Sequence, residues 1–208
     1  MLKLMRKLLD IAGSEVLWDF DADGNFERDW RVYSGDWSMQ DGWLTGYNPH
    51  NAPGVLLSRR TFPDNILLDF EAATIPPSDH DIDWMWNARW DESTNARGQA
   101  YVGGFQGWWD GKIGIEKSPA YTLTATAPAP GFVPGQVYHI LSGNIGGHCF
   151  AAVDGRLAIE LTDPEHETHS SGGHIGFEAY ASHIRIRRVR VLRAAWTPVE
   201  DTYPALKR

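Results

Sequence analysis

The chain has 208 residues, enough for one domain with a sizeable core, since folding at this size buries roughly 70% of the unfolded chain's surface. Lys and Arg number 19 against 27 Asp and Glu, a formal charge of −8 with no long run of one sign, which argues against non-specific binding to nucleic-acid backbones or anionic lipid. Ten Trp, with 7 Tyr, 8 Phe, 21 Gly and 12 Pro, favour short strands, turns and stacking surfaces over helical bundles.

In the opening segment Leu4, Leu8 and Ile11 recur at helical spacing, with Leu2, Met5 and Leu9 beside them and Lys3, Arg6 and Lys7 mostly opposite. This predicts a short amphipathic helix over residues 2–11, packed on the domain or on a sister subunit in a homodimer. The same charges interrupt the apolar run that a signal peptide needs, and no later stretch is long enough to span a bilayer. The single Cys149 cannot form an intrachain disulfide, so the expected location is cytoplasmic.

From Val16 onward the period becomes two. Val16, Trp18 and Phe20 alternate, and Asp41-Gly42 and Asp154-Gly155 each sit between apolar runs, the strongest short-range hairpin signal. Further strands are expected at Gly54–Leu57, Ile66–Ala72, Ile82–Trp90, Ala100–Phe105, Ile113–Glu116, Val137–Ser142, Ile175–Tyr180 and Ile184–Leu192, with Pro76-Pro77, APAPGFVPG and SSGG as breaks. Many short strands at near-regular spacing predict an all-β fold, a two-sheet antiparallel sandwich or barrel over residues 14–195, preceded by the helix in residues 1–13 and followed by a surface tail, 196–208.

The order of FERDWRVYSGDWSMQDGWLTG, TFPDNILLDFEA, VYHI, FAAVDGRLAIEL, GGHIGFEAY and IRIRRVRV resembles the concanavalin-A-like lectin and glucanase jelly rolls. It is most similar to small bacterial members, the YesU-like and 3-keto-disaccharide hydrolase types. The resemblance covers about residues 15–193 and implies a curved sandwich whose concave sheet holds an oligosaccharide or glycoside.

The segment HDIDWMWNARWDE carries most of the chemistry. As one strand it places Ile82, Trp84, Trp86, Ala88 and Trp90 on one face and Asp83, Met85, Asn87 and Arg89 on the other. Asp83, Asn87 and Arg89 could grip sugar hydroxyls or an acidic sugar, and Trp84, Trp86 and Trp90 could stack on sugar rings; core and solvated faces of an ordinary strand are the alternative. Tyr101, and Trp108 and Trp109 in a Gly-rich loop, offer either a sugar platform or loop anchors. In GGHIGFEAY, His174 and Glu178 share a face and, with Glu116, Asp83 and Arg89, could form a general acid/base set; the alternative is that they are surface groups. Glycoside hydrolysis needs two carboxyl groups roughly 5 Å apart for retention or 6.5–9.5 Å for inversion. The glucanase E-x-D-x-x-E pattern is absent, as is the alginate-lyase pairing of R-x-E with Q-x-H. Asp19, Asp21 and Asp23 followed by Gly24 match the first half of a calcium loop, so a structural calcium is a further expectation, although Trp30 stands where an EF-hand would close with Glu. The cluster His166, His169 and His174 lacks the spacing of a zinc helix. Three functions fit: an enzyme cleaving a small glycoside by hydrolysis or β-elimination, a carbohydrate-binding module, or a structural subunit.

Overall fold

The computed structural model describes residues 1–20, 25–107, 111–120 and 124–200. The first eleven residues are a hairpin and not the expected helix: β1 (Leu2–Leu4) pairs with β2 (Lys7–Leu9), and Arg6 in the turn has a φ of 56°. Period two puts Leu2 and Leu4 on one side, and with Leu9 they pack on Leu67, Leu141, Phe150 and Leu192. A two-turn helix would gain too few hydrogen bonds to offset its nucleation cost, whereas the hairpin borrows an apolar surface already in place. Leu2, Leu4 and Leu9 are buried against their own chain, while Leu8 and Ile11 are half-buried.

Strands β3 (Glu15–Asp19), β4 (Trp30–Val32), β5 (Asp36–Gln40) and β6 (Trp43–Ser58) follow, with one short helix, α1 (Phe26–Asp29), before β4. Next come β7 (Ile66–Thr74), β8 (Ile82–Ala88), the small hairpin β9 (Trp90–Asp91) and β10 (Ala96–Arg97), β11 (Ala100–Phe105), β12 (Lys112–Ser118) and β13 (Thr124–Pro128). The chain ends with β14 (Tyr138–Ile145), β15 (His148–Val153), β16 (Arg156–Thr162), β17 (His174–Arg193) and β18 (Trp196–Pro198). Both Asp-Gly pairs turn as expected: Asp41 and Gly42 have φ 49° and 77°, Asp154 and Gly155 50° and 75°, and they join β5 to β6 and β15 to β16. Trp196–Pro198, in the expected surface tail, is exposed and pairs with β2.

The two strands expected at Ile175–Tyr180 and Ile184–Leu192 are one strand, β17, 20 residues long. Its first part pairs with β8 and β6 and its last part with β7 and β3, so it belongs to both sheets of the antiparallel sandwich. On one side of it lie β8, β11, β12 and β13, and beyond β7 lie β14, β15 and β16. Alternate residues of both sheets meet in a core built on Trp30, Phe70, Trp84, Trp86, Tyr101, Phe105, Tyr138 and Phe177, all at most 2% exposed. Gly103 makes room for Trp84: a Cβ there would stand 2.3 Å from the indole. Among the described residues no helix is long and apolar enough to cross a membrane.

Replacing the fully buried Leu9 by Ala should lower the unfolding free energy by about 2–5 kcal/mol in urea titrations. A change of a few tenths would mean that the hairpin is not packed on the second sheet.

Candidate functional site

The register of the first sheet, which holds β4, β6, the first part of β17, β8, β11 and β12, lays its outward side chains in rows. One row runs Arg31, Leu57, Gly176, Met85, Val102 and Glu116 across β4, β6, β17, β8, β11 and β12. The neighbouring row runs from Val55 through Glu178, Asp83 and Gly104 to Gly114, and Tyr33 donates its backbone N–H to the Val55 carbonyl at 2.9 Å. Val55, Leu57, Met85, Ala88, Ala100 and Val102 make an apolar floor, against which Tyr33 and Trp90 pack.

Residues 89–99 fold back over this face. Arg89 and Gln99 close the hairpin, the Arg89 N–H donating to the Gln99 carbonyl at 2.7 Å, and β9 and β10 pair Trp90 with Arg97. Trp90 stacks on Tyr33 with centroids 4.1 Å apart, while Arg97 reaches down to the carboxyl groups. Its guanidinium donates to Glu178 Oε2, stands 3.7 Å from Glu116 Oε1 and donates to Ser118 Oγ at 3.2 Å.

Glu178 lies directly opposite Asp83 on the adjacent strand, and Asp81 precedes β8 with a φ of 73°. Asp81, Asp83, Glu116 and Glu178 are each at most 3% exposed. Four buried acids around one guanidinium are electrostatically costly, and protonation is the relief available. Burial raises Asp83 well above the ordinary carboxylate range, and the charges of Asp81 and Glu178 add to it. Burial likewise pushes Asp81 up to about 6, against the lowering effect of its hydrogen bond to Asp83. Glu178 is also raised by burial, while the charge and hydrogen bond of Arg97 pull it back. No N–H or O–H group among the described residues reaches either oxygen of Asp83, so no donor stabilises its charged form. Gly107 passes above the pair; a Cβ there would stand 3.1 Å from Asp81 Oδ1 and 3.3 Å from Asp83 Oδ1.

The other end of the face opens into a groove of about 360 Å³ lined by Arg31, Tyr33, Ser58, Arg59, Arg89, Trp90, Glu92 and His174. Arg31 lies over the Tyr33 ring at 4.4 Å.

The expected acid/base set is therefore split. Asp83, Glu116 and Glu178 come together, whereas His174 and Arg89 line the groove; His174 lies four residues from Glu178, roughly 13 Å along the strand. The expected ring platform is corrected: Trp84, Trp86 and Tyr101 are fully buried in the core and present no face to a ligand. Tyr101 stacks on Trp86, and its hydroxyl donates to Asp163 at 2.6 Å. The single alternation expected over residues 82–90 breaks at Asn87, whose φ of 50° bulges the strand, so Ala88 and Trp90 join the outward cluster with Met85. Asn87 is buried and donates to Asp64 Oδ1 at 2.8 Å and to the His169 carbonyl at 3.1 Å, so it supports a loop and is not free to grip a sugar. Trp108 and Trp109, like Asp21 and Asp23, lie outside the described residues. Asp19 is exposed in β3, and among the described residues no group of three His, Cys, Asp or Glu is placed to hold a metal ion. Asp81, Arg97, Tyr33, Arg31 and Arg59 escaped the sequence reading; only Asp81, an acid two residues before Asp83, carried a signal.

No protein-family profile matches the sequence, and no curated protein is similar to it. Solved structures do share its fold. A protein of unknown function with a galectin-like fold from Bacillus subtilis superposes with a TM-score of 0.74 at 17% identity, covering 90% of this chain and 99% of that one. The carbohydrate binding module CBM66 from Bacillus subtilis gives 0.62 at 14% identity, covering 79% and 95%. An endo-beta-1,3-glucanase from Pyrococcus furiosus gives 0.64 at 12% identity, covering 92% and 99%. These likenesses bear out the jelly-roll sandwich.

Raised carboxyl pKa values make the folded state bind more protons than the unfolded one between the unfolded and folded values, so stability falls as pH rises through that window. For Asp81 the window runs from its ordinary 3.8 to about 6. Asp81→Asn should flatten the decline in unfolding free energy between about pH 4 and 6; denaturant titrations of both proteins across that range check it, and parallel curves would show that Asp81 titrates normally.

Proposed function

We propose that the outward face of the first sheet binds a glycan and that Asp83 and Glu178 cleave it. The pairing of Glu178 with Asp83 carries the reading. Directly opposed residues of antiparallel strands hold their Cβ atoms about 4.5–5.5 Å apart, which suits the roughly 5 Å carboxyl spacing of a retaining glycosidase. Asp83, the carboxyl most disposed to keep its proton, is the general acid and protonates the departing glycosidic oxygen. Glu178, the carboxylate held by Arg97, attacks the anomeric carbon; the resulting ester is hydrolysed by water as Asp83 takes the proton back. Substrate enters when the Trp90–Arg97 hairpin lifts, since in the closed arrangement Arg97 covers the carboxyl groups. The glucanase spacing on one strand is replaced here by a pair across two strands.

A non-catalytic binding module is the second reading, favoured by the depth of the carboxyl groups and by the half-buried Trp90 stacked on Tyr33 beside an open groove. Incubation with β-glucans, 3-keto disaccharides and uronate oligomers, with product analysis, separates the two. The enzymatic reading expects turnover of at least one, reduced about 10²–10⁴-fold in both Asp83→Asn and Glu178→Gln proteins that unfold cooperatively like the parent. Binding without turnover, unchanged by either substitution, would support the second reading and overturn the first.

A further inference from the structure

The groove beside the acids concentrates positive charge on a chain whose net charge is −8. Three guanidinium groups, Arg31, Arg59 and Arg89, line it together with one carboxylate, Glu92. Glu92 engages Arg31 alone, at 3.2 Å, and both side chains are largely exposed, so that pair neutralises little. Arg59 donates Nε to the Glu27 carbonyl at 2.7 Å, and Arg89 donates to Ser171 Oγ at 2.8 Å. Those acceptors are neutral, so they orient the two guanidinium groups without cancelling their charge. The indole N–H of Trp90 is enclosed and has no acceptor among the described residues. A spare N–H and planar cations held in place are the elements that recognise a carbohydrate bearing a planar or tetrahedral anion.

Register also ties the groove to the carboxyl cluster. Arg31 is opposite Leu57 on β6, and β6 is the immediate neighbour of β17, which carries Glu178. Two strand spacings, about 10 Å, therefore separate the β4 arginine from the strand of the reactive carboxylate, along one continuous apolar floor.

We propose that this groove is an anion subsite: it binds the carboxylate or sulfate of an acidic sugar through Arg59 and Arg89 and so selects acidic oligosaccharides for the adjoining site. The inference rests on reading the face as a glycan surface.

Calorimetry on the full chain tests it with a trigalacturonate, its methyl ester, a sulfated trisaccharide and sodium sulfate alone. The acidic trisaccharides should bind at least about tenfold more tightly than the ester, and the doubly substituted Arg59→Gln, Arg89→Gln protein should lose that preference while keeping its unfolding transition. A stronger response to trigalacturonate than to the sulfated sugar identifies a carboxylate, and the reverse a sulfate. Equal binding of acid and ester, or a preference that survives the substitutions, overturns the subsite, as does sodium sulfate binding as tightly as the sulfated sugar. The singly substituted Arg89→Gln protein, which should lose part of the preference, decides the matter if the double one unfolds. Turnover assays with the same ligands keep the readings apart: cleavage without acidic preference leaves the enzyme standing and removes the subsite, and acidic preference without cleavage does the opposite.

Discussion

The structure depends on the continuity of β17. One strand of 20 residues pairs with β8 and β6 in its first part and with β7 and β3 in its last, so one continuous strand joins both sheets. It bends where Ala181 takes a φ of 49° and again at the bulge around Arg187 to Arg190, where Arg188 has a φ of 54°. Core residues Ile175, Phe177, Ile184, Ile186, Val189 and Val191 all come from this strand. A side-chain period of two then obliges Glu178 to face outward, opposite Asp83; a slip of one residue would drive it into Phe70 and Trp84.

That alignment has an energetic consequence. Burying Asp81, Asp83 and Glu178 beside one another gives up solvation, and burial raises the pKa of each, with Arg97 pulling Glu178 back. Elsewhere in the interior the carboxyl groups are paired: Asp64 accepts from Asn87 and Asn144, each at 2.8 Å, and Lys117 pairs with Asp163 at 2.8 Å. Against that background the acid cluster is a local cost, of the kind that folds tolerate where chemistry is done. The covering hairpin gives the same account of access, because its Arg97 offsets the acids and its Trp90 closes the apolar floor.

The sandwich was legible in the sequence because its turns announce themselves. Asp-Gly pairs between apolar runs can adopt left-handed backbone, and both did. The terminal hairpin was not legible: leucines at positions 2, 4, 8 and 9 satisfy a helical period and a strand period equally well over so few residues, and only the apolar surface around Leu67 and Phe150 decides between them. Asp83, Glu116 and Glu178 were visible as outward acids on apolar strands. Their partner was not, since Arg97 is one basic residue in a polar connection and acts through a fold-back that no local pattern encodes. Alternation alone misassigned Ala88 and Trp90, because it has no means of registering the bulge at Asn87. Half of the ten Trp proved structural: Trp18, Trp30, Trp37, Trp84 and Trp86 are core.

The central claim is that the register of β17 on β8 sets two carboxyl groups in unlike protonation states. Carbon-13 NMR titration of the side-chain carboxyls tests it directly. The account predicts that Asp83 keeps the chemical shift of a protonated acid well above the ordinary carboxylate range, and that removing Arg97 moves the Glu178 titration to higher pH. Ionisation of Asp83 and Glu178 together in the ordinary carboxylate range, unaffected by Arg97, would contradict it.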